Sequence, residues 1–199
     1  MNILFFDIET VPTEASLAEK ESLKSKLQLE EAEIIKKLSL SATSARILCL
    51  AYAIEPPADS AVEVLHGEER QILEKFWSLA DTAHLFVGHN IFDFDVRFIY
   101  QRSMIQQIKP SRQISFKRFR SAPVYDTMQE WTRWGRDTIS LDSLSRALGL
   151  ESPKESLDGA KVYPYYCEGK LAEICEYCRR DVEAVRRVYR RMTFTGEFL

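Results

Sequence analysis

Three short acidic motifs, in a fixed order along the chain, contain the residues that could do chemistry. They lie near the start, in the middle and near the end of the sequence, and they are Asp7-Ile8-Glu9, Asn90–Asp95 and Tyr177–Asp181. Together they supply four carboxylates and one phenol, on Asp7, Glu9, Asp95, Asp181 and Tyr177. Carboxylate oxygens are the ligands that hard divalent cations prefer. The set therefore suits a pair of such cations and a water molecule that attacks a phosphodiester.

The spacing within the first and third motifs places each pair of side chains on one face. Asp7 and Glu9 are two residues apart at the end of a predicted strand, so they point the same way. Two like charges side by side are costly unless a cation or a proton neutralises them. Tyr177 and Asp181 are four residues apart on a predicted helix and stack on one face. Taken alone, the first pair also fits a solvated strand end, and Asp181 also fits an ion pair with a neighbouring arginine.

The second motif contains two acids that compete for a functional role. Asp95 begins a predicted helix, where a carboxylate in the first turn interacts favourably with the helix dipole. A simple capping role is therefore the alternative for Asp95, and Asp93 is the other candidate for the functional acid. Asn90 carries an amide that could hold backbone or substrate.

The elements that must position these motifs alternate between strands and helices. Short apolar runs predict strands at 2–6, 46–54, 61–66 and 84–87, with the second and third as an antiparallel pair. Helical patterns cover 68–80, 95–105, 127–134, 140–148 and 171–192. This order predicts an α/β fold, in which a mixed sheet has helices packed on both faces.

The segment 14–44 interrupts this pattern after the first strand. Residues 14–37 are rich in Leu, Ala, Lys and Glu and contain no Gly or Pro, which predicts one or two helices. Residues 39–44 form a polar loop. At 199 residues the whole chain, 1–199, is expected to form a single domain with its own core. We therefore interpret 14–44 as a helical insertion within that domain.

The composition of the chain restricts which cellular compartment and which binding partners we expect. The net charge of −3 argues against a chain coated with basic residues, although a local basic stripe can still bind nucleic acid. The four cysteines do not form a disulfide framework in a chain this long, which indicates a reducing, cytoplasmic setting. Cys175 and Cys178 form a C-x-x-C, but no second ligand pair lies nearby, which favours core residues over a zinc site. The first apolar run is too short for a signal or membrane segment, so we expect no membrane association.

A basic and aromatic segment between the second and third motifs is a candidate for nucleic-acid binding. Residues 109–120 contain no acid, and Phe116 and Phe119 lie among their cations. Cations on phosphates and aromatic rings on bases are the usual means of binding single strands. The candidate phosphate contacts here are Lys117, Arg118 and Arg120. The alternative is a solvated edge strand with inward phenylalanines.

On these motifs, the chain resembles the DEDD 3′→5′ exonucleases with a tyrosine third motif, in particular standalone exonucleases related to the proofreading domain of family B DNA polymerases. The motifs match D-x-E from Asp7, N-x-x-x-F-D from Asn90 and Y-x-x-x-D from Tyr177. Segments from Tyr125 and Ser140 are also similar. The resemblance covers most of the chain but does not explain the insertion. It implies a ribonuclease H-like fold, with a five-stranded mixed sheet whose fifth strand we expect within 110–125.

The resemblance implies a metal-dependent exonuclease that hydrolyses phosphodiester bonds at the 3′ end of single-stranded nucleic acid and releases nucleoside 5′-monophosphates. DNA is the favoured substrate, but nothing in the sequence recognises the 2′-hydroxyl, so an exoribonuclease is an alternative. A catalytically inactive nucleic-acid-binding module on the same fold is another. The intact acidic quartet argues against that module, because a pure binder gains nothing from negative charge where phosphates must lie. No protein partner is indicated.

The resemblance also implies a role for each motif residue. Two Mg²⁺ or Mn²⁺ ions about 4 Å apart would occupy the site. Asp7 would bridge both ions, while Glu9 and Asp181 would hold the ion that activates water. Asp95 would serve the second ion, and Tyr177 would orient the attacking water. Three further residues are candidates for holding the terminal nucleotide, and they are Thr10, Asn90 and Phe94; packing in the core is the favoured alternative for Phe94.

Overall fold

The computed structural model describes residues 1–152 and 157–195, whose strands form one five-stranded mixed sheet. The strands are β1 (Ile3–Pro12), β2 (Ala45–Glu55), β3 (Glu63–His66), β4 (Leu85–Gly88) and β5 (Val124–Asp126). Their order across the sheet is β3-β2-β1-β4-β5. β2 pairs antiparallel with β1 and β3, while β4 pairs parallel with β1 and β5. The predicted mixed sheet and its antiparallel pair are confirmed.

Helices cover both faces of this sheet. Those in the described ranges are α1 (Glu14–Ala18), α2 (Lys20–Leu27), α3 (Glu31–Ser39), α4 (Glu69–Thr82), α5 (Asp95–Ile105), α6 (Thr127–Thr132), α7 (Leu141–Ala147), α8 (Val162–Cys167) and α9 (Leu171–Met192), with a short 3-10 helix at Gly159–Lys161. α4 and α5 pack on one face, and α8 and α9 pack on the other. None of the helices in this part of the chain is long and apolar enough to cross a membrane.

Side-chain alternation along β1 decides where its two acids lie. Leu4, Phe6 and Ile8 are buried in the core beneath α4 and α5. Phe5 is buried in the opposite core, against α9. Burial of one such side chain contributes about 1.5–3 kcal/mol to folding, so the register of β1 is strongly determined. Asp7 and Glu9 share the face of Phe5, which brings them beneath α9.

Some elements differ from those predicted. β1 continues to Pro12 because β2 pairs with it along its whole length. The register shifts beside Glu9, where β2 carries one extra residue, a bulge of the kind found near active sites. The insertion forms three short helices, not one or two. α8 and the 3-10 helix were not predicted, because aromatic residues and Pro164 conceal the helical pattern; Pro164 lies in the first turn, where proline is tolerated.

The fifth strand is short and begins at the end of the predicted interval. It covers Val124–Asp126 only, and residues 109–123 contain no strand. The edge-strand interpretation of the basic segment is therefore wrong. That segment is an irregular loop that joins α5 to β5.

Candidate active site

Three carboxylates from distant parts of the chain meet at one point. Asp7 and Glu9 extend from β1, and Asp181 extends from α9, which crosses that face of the sheet. One oxygen of each residue lies within 4.8 Å of the other two. Within 1–152 and 157–195, no other group of three acidic, histidine or cysteine residues reaches this spacing. The arrangement can hold a divalent cation with oxygen ligands alone, which suits Mg²⁺ or Mn²⁺ better than zinc.

Asp95 lies beside this cluster, at the first residue of α5. Its side chain is only 3% exposed, and its Oδ1 accepts a hydrogen bond from the backbone N–H of Ile8 at 3.1 Å. β4 pairs with β1 only as far as Phe5, so Asp95 satisfies the β1 backbone where that pairing stops. Asp93, by contrast, forms a salt bridge of 2.8 Å with Arg118. The structure thus directs Asp95 towards the acidic cluster and Asp93 away from it.

The acids of the cluster raise one another's pKa values. Burial is the main cause that holds the pKa of Asp7 well above its usual range, and the carboxylates of Asp95 and Glu9 add to it. Burial, followed by the charge of Asp181, does the same for Glu9. Burial also raises the pKa of Asp95 to about 7. Buried like charges of this kind need protons or a cation to neutralise them, so the site fits a metal.

Tyr177 lies one helical turn before Asp181 on α9, on the same face. Its ring is buried, and its hydroxyl forms a hydrogen bond with the Asp181 carboxylate. Burial and the charge of Asp181 hold the pKa of Tyr177 far above its usual range. The phenol is therefore protonated, so it can donate a hydrogen bond or orient a water molecule.

The thiol of Cys178, in the third motif, contacts Asp7 of the first motif. The Cys178 Sγ lies 3.4 Å from Asp7 Oδ2 and 3.5 Å from the Asp7 carbonyl oxygen, and the thiol donates towards both. The thiol of Cys49, on β2, interacts with those of Cys175 and Cys178 in the core. The C-x-x-C thus consists of core residues, as predicted. The contact with Asp7 was not foreseen.

Asp126, the last residue of β5, organises the second motif. Its carboxylate accepts hydrogen bonds from the backbone N–H groups of Asn90 and Phe92, each at 2.9 Å, and from the first turn of α6 at Met128 and Gln129. Asn90 has a left-handed backbone with φ of 62°. Asp126 lies outside the three acidic motifs and was not predicted to have a role, although an aspartate between a strand and a helix is a typical N-cap signal.

These residues line an open cleft with a volume of about 1030 Å³. Asp7, Glu9, Asp95, Tyr177 and Asp181 all contribute to it, and so do Thr10, Asn90 and Phe94. The Thr10 hydroxyl also donates to the carbonyl of Ser39 at 2.7 Å. The structure therefore brings the five predicted catalytic residues and the three candidates for nucleotide binding to one place.

His89 lies in the same cleft, where the protein itself occupies both ring nitrogens. Nδ1 lies 2.9 Å from the Thr127 hydroxyl, and Nε2 lies 2.8 Å from the carbonyl oxygen of Ile139. Burial lowers its pKa, so the ring is neutral at pH 7. This arrangement agrees with a structural role for His89.

The basic segment lies outside the cleft. Neither Lys117, Arg118 nor Arg120 lines it among the described residues. Arg118 is held by Asp93 and lies over the ring of Phe92 at 5.6 Å. Phe119 is 74% exposed beside Trp134, with their ring centroids 5.7 Å apart. The segment thus presents cations and an exposed aromatic ring next to the second motif.

The sequence matches a model of a known protein family. This family model describes predicted 3′-5′ exonucleases related to the exonuclease domain of PolB, and it matches residues 49–198. The chain belongs to this family. The matched residues contain the second and third motifs, while β1 and the insertion precede them. Membership of this exonuclease family supports a nuclease with a nucleic-acid substrate, and exonucleases of this kind usually use divalent metals.

A solved structure shows the same fold. The PolB-related exonuclease chain is similar to a family B DNA polymerase from the hyperthermophilic archaeon Pyrobaculum calidifontis, with a TM-score of 0.67 and 16% identity. The match covers 97% of this chain and 24% of the polymerase. The predicted ribonuclease H-like fold is thereby confirmed. No curated protein matches the chain.

Proposed function

We propose that residues 1–199 act as one 3′→5′ exonuclease domain with a helical insertion at 14–44. It hydrolyses phosphodiester bonds at the 3′ end of single-stranded nucleic acid, with DNA favoured, and releases nucleoside 5′-monophosphates. The observation that carries this proposal is the meeting of Asp7, Glu9 and Asp181 within 4.8 Å of one another, beside Asp95 and Tyr177. A cytoplasmic location stays a prediction.

The donor set supports a two-metal site at this cluster. When bound, two Mg²⁺ or Mn²⁺ ions would acidify a water molecule and stabilise the leaving 3′ oxygen. Asp7, Glu9 and Asp181 would hold one ion together, and Asp7 would also reach the second. Asp95 stands outside this group of three, and one of its oxygens is already bonded to Ile8. This supports a role for Asp95 at the second ion through a water molecule.

Tyr177 and the cleft residues would position the reactants. The protonated Tyr177 hydroxyl would orient the attacking water in line with the scissile bond. Thr10, Asn90 and Phe94 would hold the terminal nucleotide from the cleft walls. Lys117 and Arg120 are exposed on the loop outside the cleft, where they would contact phosphates further along the strand.

The inactive binding module is the less favourable alternative. Buried carboxylates that raise one another's pKa values are costly, and a binding module has no use for them. An exoribonuclease differs from the proposed enzyme only in the sugar of its substrate. The likeness of the fold to that of a DNA polymerase favours DNA.

The products of the reaction test the proposal. Purified protein is incubated with single-stranded DNA, single-stranded RNA or duplex DNA of one sequence, with Mg²⁺, Mn²⁺ or EDTA, and the nucleotides are separated by chromatography. We expect nucleoside 5′-monophosphates from single-stranded DNA with either metal and none with EDTA. Release of 3′-monophosphates, or cleavage that persists in EDTA, would contradict the mechanism.

A further inference from the structure

Helix α3 of the insertion forms one wall of the cleft that contains the acidic cluster. Its cleft-facing residues recur at helical spacing along one face. They include Ala32, Ile35, Lys36, Ser39 and, just after the helix, Leu40. The insertion is therefore part of the site and not a spacer on the far side of the fold.

Contacts at and after the C-terminal end of α3 fix the position of this wall. The Thr13 N–H donates to the carbonyl of Ser44 at 2.8 Å, which closes the base of the insertion. The carbonyl of Ser39, at the end of α3, accepts from Thr10 on β1. Arg102 of α5 donates to the carbonyl of Ala42 at 2.8 Å, and a buried salt bridge of 2.6 Å to Glu69 holds that arginine. α3 therefore has a defined position relative to Asp7 and Glu9.

A second part of the cleft lining comes from the 3-10 helix and α8. Ala160, Tyr163 and Pro164 line it, facing the same cleft as Ala32 and Ile35 of α3. The apolar side chains of α3 and α8, together with the phenol ring of Tyr163, suit the sugar and base of a nucleotide. The acidic cluster lines the same cleft, so a strand end that is bound at the cluster shares the cleft with these side chains.

The charges of the cleft single out one residue. Eight acidic residues line the cleft in the described part of the chain. Lys36 is the one lysine or arginine that lines it there. Lys36 is exposed on the wall. A phosphodiester strand that enters this acidic cleft needs a cation away from the metal site, and Lys36 is placed to supply it.

We propose that α3 is the substrate-facing wall of the site and that Lys36 binds a backbone phosphate of the single strand near its 3′ end. This inference rests on the proposed function. It assigns a role to the segment 14–44, which precedes the residues matched by the family.

A second reason for a lysine at this position must be separated from the first. Lys36 and Lys37 both lie in the last turn of α3, where cations interact favourably with the helix dipole. Both side chains are exposed, but Lys36 lines the cleft and Lys37 does not. The neighbours therefore form a matched pair with equal charge in the same helical turn, and they differ in access to the cleft.

The experiment compares Lys36→Glu with Lys37→Glu. KM and kcat are measured with single-stranded DNA, and binding of a 5′-fluorescein oligonucleotide is measured by anisotropy in the Asp181→Asn background. We expect Lys36→Glu to raise KM and Kd by about tenfold, with Lys37→Glu within about twofold of its parent.

We also expect Lys36→Met to reduce the salt dependence of log Kd by about 0.7, the single-strand value for one phosphate contact. Lys36→Arg should retain affinity.

Equal effects of the two glutamate variants would overturn the inference and leave the exonuclease intact. Absence of cleavage by the wild-type protein with any metal would instead remove the proposed function. In that case the anisotropy comparison still decides whether Lys36 contacts the strand. Melting temperatures of both variants, at exposed positions, verify that the fold is retained.

Discussion

The carboxylate of Asp95 accepts a hydrogen bond from the backbone N–H of Ile8, and this contact joins the second acidic motif to the first. It fixes one oxygen of Asp95 against β1 between the two acids of the D-x-E motif. Burial raises the pKa of this carboxyl to about 7, and the charge of Asp126 adds to the effect. The site is therefore costly to ionise in the absence of a cation, and this property can be measured without any substrate.

Stability of the metal-free protein should fall as pH rises. A carboxyl whose folded pKa is raised stabilises the fold fully below its unfolded pKa of about 4, and that contribution is lost as pH rises through about 7. Asp7 and Glu9 act with the same sign. In EDTA we expect the melting temperature to drop by roughly 3–6 °C between pH 5 and pH 8. Mg²⁺ or Mn²⁺ should raise it more at pH 8 than at pH 5.

Asp95→Asn is the control for this dependence. The amide cannot ionise, so the variant should lose part of the decline with pH. His89 acts with the opposite sign, because burial lowers its pKa, and the comparison between the two proteins removes its contribution. A variant with the same pH profile as the wild type would show that Asp95 is ionised at neutral pH in the folded protein.

Removal of the Tyr177 hydroxyl should slow the reaction without a change in its pH dependence. Tyr177→Phe keeps the buried ring but loses the group that would orient the water. We expect kcat to fall about 100-fold at constant KM. The pKa of the phenol lies far above its usual range, so the pH–rate profile should keep its shape. A wild-type rate that rises with pH into the alkaline range, and loss of that rise in the variant, would instead identify Tyr177 as a base.

Cys178 should tune the metal affinity through Asp7. Its thiol donates towards the Asp7 carboxylate at 3.4 Å, and groups that orient metal ligands typically contribute 10–100-fold to affinity. We expect Cys178→Ala to raise the Mn²⁺ concentration for half-maximal activity by about tenfold, while Cys178→Ser retains a donor and most of the affinity. A metal titration compares the three proteins. Equal half-saturation in all of them would limit Cys178 to packing.

Asp126 should be a large contributor to stability. Asp126→Ala leaves four backbone N–H groups without their acceptor, at Asn90, Phe92, Met128 and Gln129. We expect a loss of about 3 kcal/mol in the free energy of unfolding, measured by urea denaturation. Asp126→Asn should fall between the alanine variant and the wild type, because one carboxylate oxygen accepts three of the four bonds. A loss below about 1 kcal/mol for alanine would contradict this account.

Local sequence patterns predicted the long elements well. Helices at 95–105 and 171–192 were predicted with the bounds that the structure shows, because helical periodicity is encoded within each segment. The strand-and-helix order was also sufficient for the mixed sheet. β5 was poorly marked because three residues are too few to show a period.

Contacts between distant segments could not be predicted in the same way. Asp93 and Asp95 differ by two positions, and only the packing of α5 against β1 turns one towards Ile8 and the other towards Arg118. The position of Lys36 in the cleft depends on hydrogen bonds that close the insertion onto β1 and α5. These contacts join residues far apart in sequence, where no periodicity is informative.

The most direct test of the central claim is the position of cleavage on one single-stranded DNA labelled at either end. With Mn²⁺, the wild-type protein should convert the 5′-labelled strand into a ladder that shortens from the 3′ end, and should release the 3′ label as a mononucleotide at once. Asp7→Ala and Asp181→Ala should leave both strands intact. Internal fragments from both labels, or equal ladders from wild type and variants, would contradict a 3′→5′ exonuclease built on these carboxylates.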